Sequence, residues 1–188
     1  DVSLVGSEMC IRDRLNSYRD FRQEAEKNNF NYFLEVFNPQ TKTGLNQSQL
    51  GEYVNDCILK TLAGQLKSER PLFLKIAYNG PKAMEELAGY DPKNLIVGIL
   101  GGGKGTTRDC FELISKSCKY GAKVALFGRK INLAEDQKLI VKTMRDVVNG
   151  MTSNEGVKFY HDQLKKKKIK PDRSLDKDLM ITEKVLKL

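Results

Sequence analysis

The 188-residue chain has few residues of the kinds that metal sites, disulfide scaffolds and membrane spans require. Its one histidine has no cysteine at metal-ligand spacing, and its four cysteines form no Cys-x-x-Cys pair. This usage predicts no metal and is typical of a reduced, cytoplasmic protein. No apolar run approaches the roughly 18 residues that span a bilayer, so we expect no membrane partner. Hydrophobic residues make up 40% of the chain, enough for a globular core.

The net charge of +8 is concentrated in part beyond Gly150, where the stretch "QLKKKKIKPDR" contains four consecutive lysines at a predicted helix end. Aromatic residues are not interleaved with these lysines, as they are in many nucleic-acid surfaces. The run therefore indicates a solvated helical face, and we expect no nucleic-acid partner. We interpret residues 151–188 as a basic helical C-terminal extension.

The first fourteen residues show no amphipathic period and no signal-peptide core. The stretch "LVGSEMCIRDR" resembles one reading frame of a transposase adapter used in preparing sequencing libraries. We therefore expect residues 1–14 to be foreign to the natural protein, the fold to occupy residues 15–150, and part of it to lie upstream.

From Asn16 onward, apolar strand-like runs alternate with segments of helical periodicity. Alternation of this kind predicts an α/β fold with right-handed crossovers and parallel strands covered on both faces. The four predicted strands are "NYFLEVFNP", "PLFLKIAY", "NLIVGIL" and "KVALFG".

Two charged residues, Glu35 and Lys75, interrupt these otherwise apolar strands. An unpaired charge inside a hydrophobic run is energetically expensive. One interpretation is a buried ion pair, or side chains that reach solvent at strand ends. The other is a working pair that points into the mouth of a barrel.

The stretch "GILGGGKGTTRD" places glycine-rich backbone between a strand and a helix, where main-chain N–H groups can bind an anion. Gly98, Gly103 and Lys104 satisfy part of the Walker A template. Gly105 stands where that template needs Ser or Thr for magnesium, and the next strand ends without an acidic residue. A P-loop is therefore the less favoured interpretation.

A phosphate site between two consecutive strand ends fits the glycines better. In (β/α)8 barrels, phosphate commonly binds between the loops after strands seven and eight. Gly101, Gly102 and Gly103 can offer N–H groups, while Gly128 permits close approach of the chain. Arg129 supplies a fork that matches phosphate oxygens.

Together, "FLEVFNP", "LFLKIAYNG", "GILGGGKG" and "VALFGRKI" resemble the C-terminal half of class I, Schiff-base-forming aldolases. The likeness covers roughly residues 17–149 and is strongest to tagatose-1,6-bisphosphate aldolases, with bacterial class I fructose-bisphosphate aldolases next. It implies a TIM barrel, of which this chain holds strands five to eight. It also implies a phosphorylated sugar substrate, no cofactor, and a homo-oligomer at full length. By itself, the half-barrel chain is expected to be inactive and marginally stable or self-associating.

The resemblance assigns the Schiff-base lysine to Lys75 and the acid/base glutamate to Glu35. It assigns phosphate binding to Gly101 and Gly102 after strand seven and to Gly128 and Arg129 after strand eight. A lysine must be neutral to attack a carbonyl, and burial favours that form. The iminium then accepts electrons as a carbon–carbon bond breaks, while a nearby base takes the hydroxyl proton. A non-catalytic phosphosugar-binding barrel remains the alternative.

Other reactive side chains have simpler interpretations. His161, in "VKFYHDQL", is expected at the surface, and Lys104 either touches phosphate or is exposed. Tyr78 either reaches the substrate or fills the barrel rim. Three cysteines at apolar helix positions are expected in the core: Cys57, Cys110 and Cys118.

Overall fold

The computed structural model describes residues 15–188 in full and, for residues 2–14, only the backbone of the first helix. The expectation that residues 1–14 are foreign thus falls outside the fully described residues. The elements, in chain order, are α1 (Val2–Lys27), β1 (Leu34–Val36), α2 (Gln47–Leu62), β2 (Phe73–Ile76), α3 (Pro81–Tyr90), β3 (Ile96–Leu100), α4 (Thr107–Lys119), β4 (Val124–Leu126), α5 (Arg129–Asn132), α6 (Gln137–Val148), α7 (Ser153–Lys166) and α8 (Leu175–Asp178). Short 3₁₀ turns occupy Lys67–Glu69 and Lys184–Lys187.

The four strands form one parallel sheet in the order β1-β2-β3-β4, which confirms the predicted α/β class and strand pairing. Glu35 lies opposite Lys75, Lys75 opposite Gly98, and Gly98 opposite Val124. Side chains alternate between the two faces of a sheet. These four residues therefore form one row across the same face.

The two faces of the sheet differ in burial. Leu74, Ile76, Val97 and Ile99 are at most 3% exposed and belong to the core cluster that contains residues from the helices. The alternate face, which carries Glu35 and Lys75, is more open. Its apolar side chains include Phe33, Phe37 and Ile96, which are 47%, 62% and 44% exposed.

Local signals in the sequence explain where the helices after β2 and β3 begin. Gly80, with φ 106°, turns the chain into α3, and Pro81 occupies its first turn. At α4, the Thr106 side chain accepts from the backbone N–H of Asp109, and the Asp109 carboxylate accepts from that of Thr106. Such reciprocal capping satisfies two N–H groups that the helix cannot pair internally.

The segment after α6 is part of the core. Val157, Tyr160 and Leu164 of α7 are fully buried, and α7 contacts both α4 and α6. The helix ends at Lys166, inside the lysine run, as predicted. The expectation of a surface role for His161 is wrong, because its side chain is only 10% exposed and its Nε2 lies 2.9 Å from Asp178 Oδ2.

The cysteines divide between core and surface. Cys110 is buried as expected, and burial raises the pKa of its thiol to about 12. The same expectation is wrong for Cys57 and Cys118, which are exposed. Each lies beside the buried stripe of its helix, next to the buried residues Ile58 and Ser117 respectively.

In the part of the chain that the structure describes, no helix is both long and apolar enough to cross a membrane.

Candidate functional site

Lys75 and Glu35 form an ion pair on the open face of the sheet. The Lys75 Nζ lies 2.8 Å from the Glu35 Oε1, and the two side chains are 23% and 30% exposed. The parallel register of β1 and β2 places these residues directly opposite each other. The geometry confirms that they share a face and neither projects toward the helices.

Aromatic side chains lie on the same face of the sheet as this pair. Phe33 and Phe73 stack with ring centroids 4.9 Å apart and an interplanar angle of 4°. Gly98 lies opposite Lys75 on the next strand. A Cβ built there would lie 2.8 Å from the Leu74 carbonyl oxygen, so the sheet excludes a larger residue.

A pair of side-chain amides connects the loops that follow β1 and β2. Asn38 donates from Nδ2 to Asn79 Oδ1 at 2.7 Å, and Asn79 donates from Nδ2 to Asn38 Oδ1 at 3.0 Å. Gln47 adds a 3.4 Å hydrogen bond to Asn79 Oδ1. The carboxyl ends of the two strands that carry Glu35 and Lys75 are therefore fixed to each other.

Two glycine turns lie side by side, as the sequence predicts. The first, residues 101–105, follows β3, and the second, residues 127–128, follows β4. Leu100 and Leu126 pair at the ends of β3 and β4. Immediately beyond them, Gly101 packs against Phe127 so closely that an added Cβ would lie 2.9 Å from the Phe127 ring. The glycine at this position is required for contact between the two strand ends.

The remaining residues predicted to bind phosphate are accessible. Gly102 adopts φ 65°, which favours glycine, and added Cβ atoms at Gly102, Gly103 and Gly128 would meet no atom within 4 Å. Arg129 begins α5 directly after the second turn and is exposed. Its guanidinium has no ion-pair partner within residues 15–188, so its donors are free for a ligand.

The N-terminus of α4 is already occupied by side chains of the chain itself. The Thr107 N–H donates to Asp178 Oδ1 at 2.8 Å, and Lys104 pairs with Asp172. A P-loop uses both a glycine-rich backbone and its lysine to hold phosphates. Here Lys104 and the Thr107 N–H at the start of α4 both bind carboxylates from the segment that follows α7, residues 167–188, which we call the C-terminal segment.

Asp109 is the centre of that contact. Its carboxylate accepts hydrogen bonds from the backbone N–H groups of Thr106, Thr182 and Glu183 and from the Thr182 hydroxyl. Burial acts to raise the pKa of Asp109, but these hydrogen bonds outweigh it and hold the pKa below its usual range. The C-terminal segment is thus joined to α4 through a buried anion.

No feature of the sequence indicates that Lys130 is buried. The Lys130 side chain has no exposed surface, and its Nζ lies 2.9 Å from Glu183 Oε1. Only its position after Arg129, in a turn already suspected of binding an anion, could have drawn attention to it. Asn38, Asn79 and Glu183 lie in segments whose sequence shows no comparable signal.

Tyr78 lies in the hydrophobic core of the chain. It is 5% exposed and belongs to the core, in contrast to the open-face pair. Its hydroxyl has no hydrogen-bond partner among the described residues, and burial raises its pKa above the usual range.

Within residues 15–188, no group of three or more His, Cys, Asp or Glu side chains is placed to hold a metal ion.

When compared with known proteins, the chain matches no family model and no curated protein.

Proposed function

We propose that the protein is a metal-independent class I aldolase that cleaves or forms a ketose phosphate through a Schiff base on Lys75. The observation that carries this proposal is the 2.8 Å contact between Lys75 and Glu35 on the open face of the sheet. A nucleophilic lysine needs a base within hydrogen-bond reach, and this arrangement supplies one.

We infer that the sheet is the second half of a (β/α)8 barrel, strands five to eight. Each strand pairs with its neighbours in chain order, whereas the order reverses at the centre of a doubly wound sheet. A short helix, α5, follows the fourth strand, as in barrels that bind phosphate at this point. In a barrel, the face that carries Glu35 and Lys75 would line the interior.

The proposed reaction begins with proton transfer from the Lys75 ammonium to the Glu35 carboxylate. The neutral amine attacks the ketone carbonyl, and loss of water leaves an iminium ion. The next bond to break joins the α carbon, adjacent to the iminium carbon, to the β carbon. A base removes the proton of the hydroxyl on the β carbon, and this fragment leaves as an aldehyde. The electron pair of that bond passes to the iminium as an enamine. Protonation of the enamine and hydrolysis release the second product and restore Lys75.

The glycine turns and Arg129 would fix the phosphoryl group while this chemistry proceeds. Both turns follow strands of the sheet that carries Lys75, at its carboxyl edge. Holding a substrate by a remote group orients its carbonyl toward the nucleophile and lowers the barrier. The free guanidinium of Arg129 can bind two phosphate oxygens at once.

Borohydride reduction in the presence of a ketose phosphate tests the proposal. Reduction of the iminium should leave a secondary amine that joins the ketose carbon to Lys75. Because water leaves and two hydrogen atoms are gained, the mass added to Lys75 is that of the ketose less one oxygen atom, and peptide mass spectrometry should find it on no other residue. The experiment uses the protein extended by its upstream coding segment, because the resemblance implies substrate-binding residues there. Absence of an adduct at Lys75 in the extended protein overturns the proposal.

Lys82 provides a matched control for this experiment. It forms an ion pair with Glu52 at the same 2.8 Å distance, but the two side chains are 78% and 50% exposed. Substitution Lys75→Ala should abolish the adduct, whereas Lys82→Ala should leave it unchanged. Phosphosugar binding that is indifferent to Lys75→Ala, with no cleavage, would instead identify the non-catalytic binding barrel.

A further inference from the structure

The buried ammonium group of Lys130 connects three separate segments of the chain. Its Nζ contacts Glu183 Oε1 at 2.9 Å and the backbone carbonyl oxygen of Lys104 at 3.5 Å. Lys104 lies in the glycine turn after β3, and Lys130 lies just beyond the turn after β4. Glu183 belongs to the C-terminal segment. One charge therefore joins both turns of the predicted phosphate site to the end of the chain.

The packing around the turn after β3 fits the same role. Gly105 adopts φ 60°, and a Cβ at this glycine would lie 2.9 Å from the Asp109 carboxylate and 3.4 Å from Glu183 Oε1. The turn thus lies directly against the carboxylates of α4 and the C-terminal segment. A side chain at Gly105 would collide with the Asp109 carboxylate, so the turn can pack this closely only with glycine at this position.

Arg129 and Lys130 are adjacent in sequence but have opposite exposure. The guanidinium of Arg129 is free in solvent, whereas the Lys130 ammonium is sealed from it. Lys130 therefore cannot itself contact an incoming phosphoryl group. Two apolar residues could fill the same volume at lower electrostatic cost, since a buried ion pair often contributes little net stability.

We propose that Lys130, with Glu183 as its counter-ion, is a positioning residue that holds the two glycine turns at the separation a phosphoryl group requires. The inference rests on the proposed function in that it takes these turns as the phosphate site. It adds that the C-terminal segment, through Glu183, is a structural part of that site. The ligand class is a phosphate monoester, for which inorganic phosphate is the simplest probe.

The test measures the affinity of the chain for inorganic phosphate by isothermal titration. The double variant Lys130→Met/Glu183→Leu removes both charges while keeping an apolar filling, so we expect its melting temperature to remain close to that of the unmodified chain. Its phosphate affinity should fall about tenfold or more, because the loss of one hydrogen bond to a charged ligand has an effect of this size. The exposed pair replacement Lys82→Met/Glu52→Leu is the control and should change neither quantity.

A milder variant covers the case in which the double variant does not fold. Glu183→Asp keeps the charge but shortens its reach by one methylene group, and it should weaken phosphate binding by a smaller factor. Unchanged phosphate affinity in a folded double variant, or in Glu183→Asp, overturns the inference, as does failure of the unmodified chain to bind phosphate.

Failure of this inference can be told apart from failure of the aldolase proposal. Phosphate binding does not involve Lys75, so it can respond to Lys130 even if no Schiff base forms. If borohydride traps an adduct on Lys75 but the phosphate affinity is the same with and without the Lys130 side chain, the positioning role is rejected and the aldolase proposal stands.

Discussion

Glu35 and Lys75 face each other from adjacent parallel strands at 2.8 Å, yet each keeps about a quarter of its side chain accessible. The pair is therefore shielded enough to exclude much water but open enough for a ligand to reach the amine. An exposed surface pair lacks the first property. The ammonium group of Lys130, whose side chain has no exposed surface, lacks the second.

The variant Glu35→Gln should slow both adduct formation and bond cleavage, because the amide can accept a proton neither from Lys75 nor from the hydroxyl of the departing fragment. The cleavage rate in the extended protein should fall by about 10²- to 10⁴-fold. The borohydride-trapped ketose adduct at Lys75 should form more slowly than in the unmodified protein, as measured by mass spectrometry. Glu52→Gln, on the exposed pair, serves as the control and should leave the rate unchanged. Full cleavage activity in Glu35→Gln would assign the base elsewhere.

The variant Arg129→Ala should weaken binding of inorganic phosphate by about tenfold to a hundredfold, because a hydrogen bond to a charged group contributes about 1.5–3 kcal/mol. The melting temperature should not change, since this side chain has no ion pair within the described residues. Titration calorimetry measures the affinity, and Arg145→Ala, an exposed arginine on α6, is the control. Equal phosphate affinity for both variants would place the anion away from Arg129.

The variant Asp109→Asn should lower the free energy of unfolding by about 2–3 kcal/mol at neutral pH, because hydrogen bonds to a carboxylate are lost. The pKa of Asp109 is depressed in the folded protein. Its stabilising contribution is therefore complete above the unfolded pKa of about 3.9 and is lost as pH falls through the lower folded pKa.

Urea unfolding at pH 7 and pH 3 measures this difference. Stability should decrease less toward pH 3 in Asp109→Asn than in the unmodified chain. The exposed carboxylate of Asp162 on α7 provides the control variant, Asp162→Asn, for which the two pH profiles should coincide. A profile of Asp109→Asn parallel to that of the unmodified chain would show that Asp109 is not the titrating group.

The open face of the sheet should make this chain self-associate. Phe33, Phe37 and Ile96 leave a large apolar surface in water, and exposed surfaces of this kind promote association. Sedimentation velocity should show species larger than the monomer, and Phe37→Ser should shift the distribution toward the monomer. The exposed substitution Tyr90→Ser, on α3, is the control. A monomer that melts cooperatively would contradict the expectation.

The sequence was informative where local pattern decides the structure. Apolar runs located all four strands, and their parallel order put Glu35 and Lys75 on one face. The sequence was misleading where a distant partner decides the environment. The pattern around His161 predicts a surface position, because its partner Asp178 lies outside its helix and leaves no signal in that pattern.

Lys130 was missed for the same reason. A lysine in a short turn is ordinarily solvated, and only Glu183 makes its burial tolerable. The length of the strand was also overestimated at β1, where the apolar stretch extends over residues 31–39 but only Leu34–Val36 pair. A run of strand-forming residues indicates where a strand lies, whereas the length over which its backbone pairs depends on the neighbouring strand.

The separation of Lys130 from Glu183 along the chain has a consequence for biosynthesis. The ribosome adds roughly 5–20 residues per second, and 53 positions separate the two residues. Lys130 is therefore made roughly 3–10 s before its counter-ion exists. During that interval the Lys130 ammonium has no counter-ion from Glu183, and the contact that joins the turns after β3 and β4 to the segment containing Glu183 cannot form.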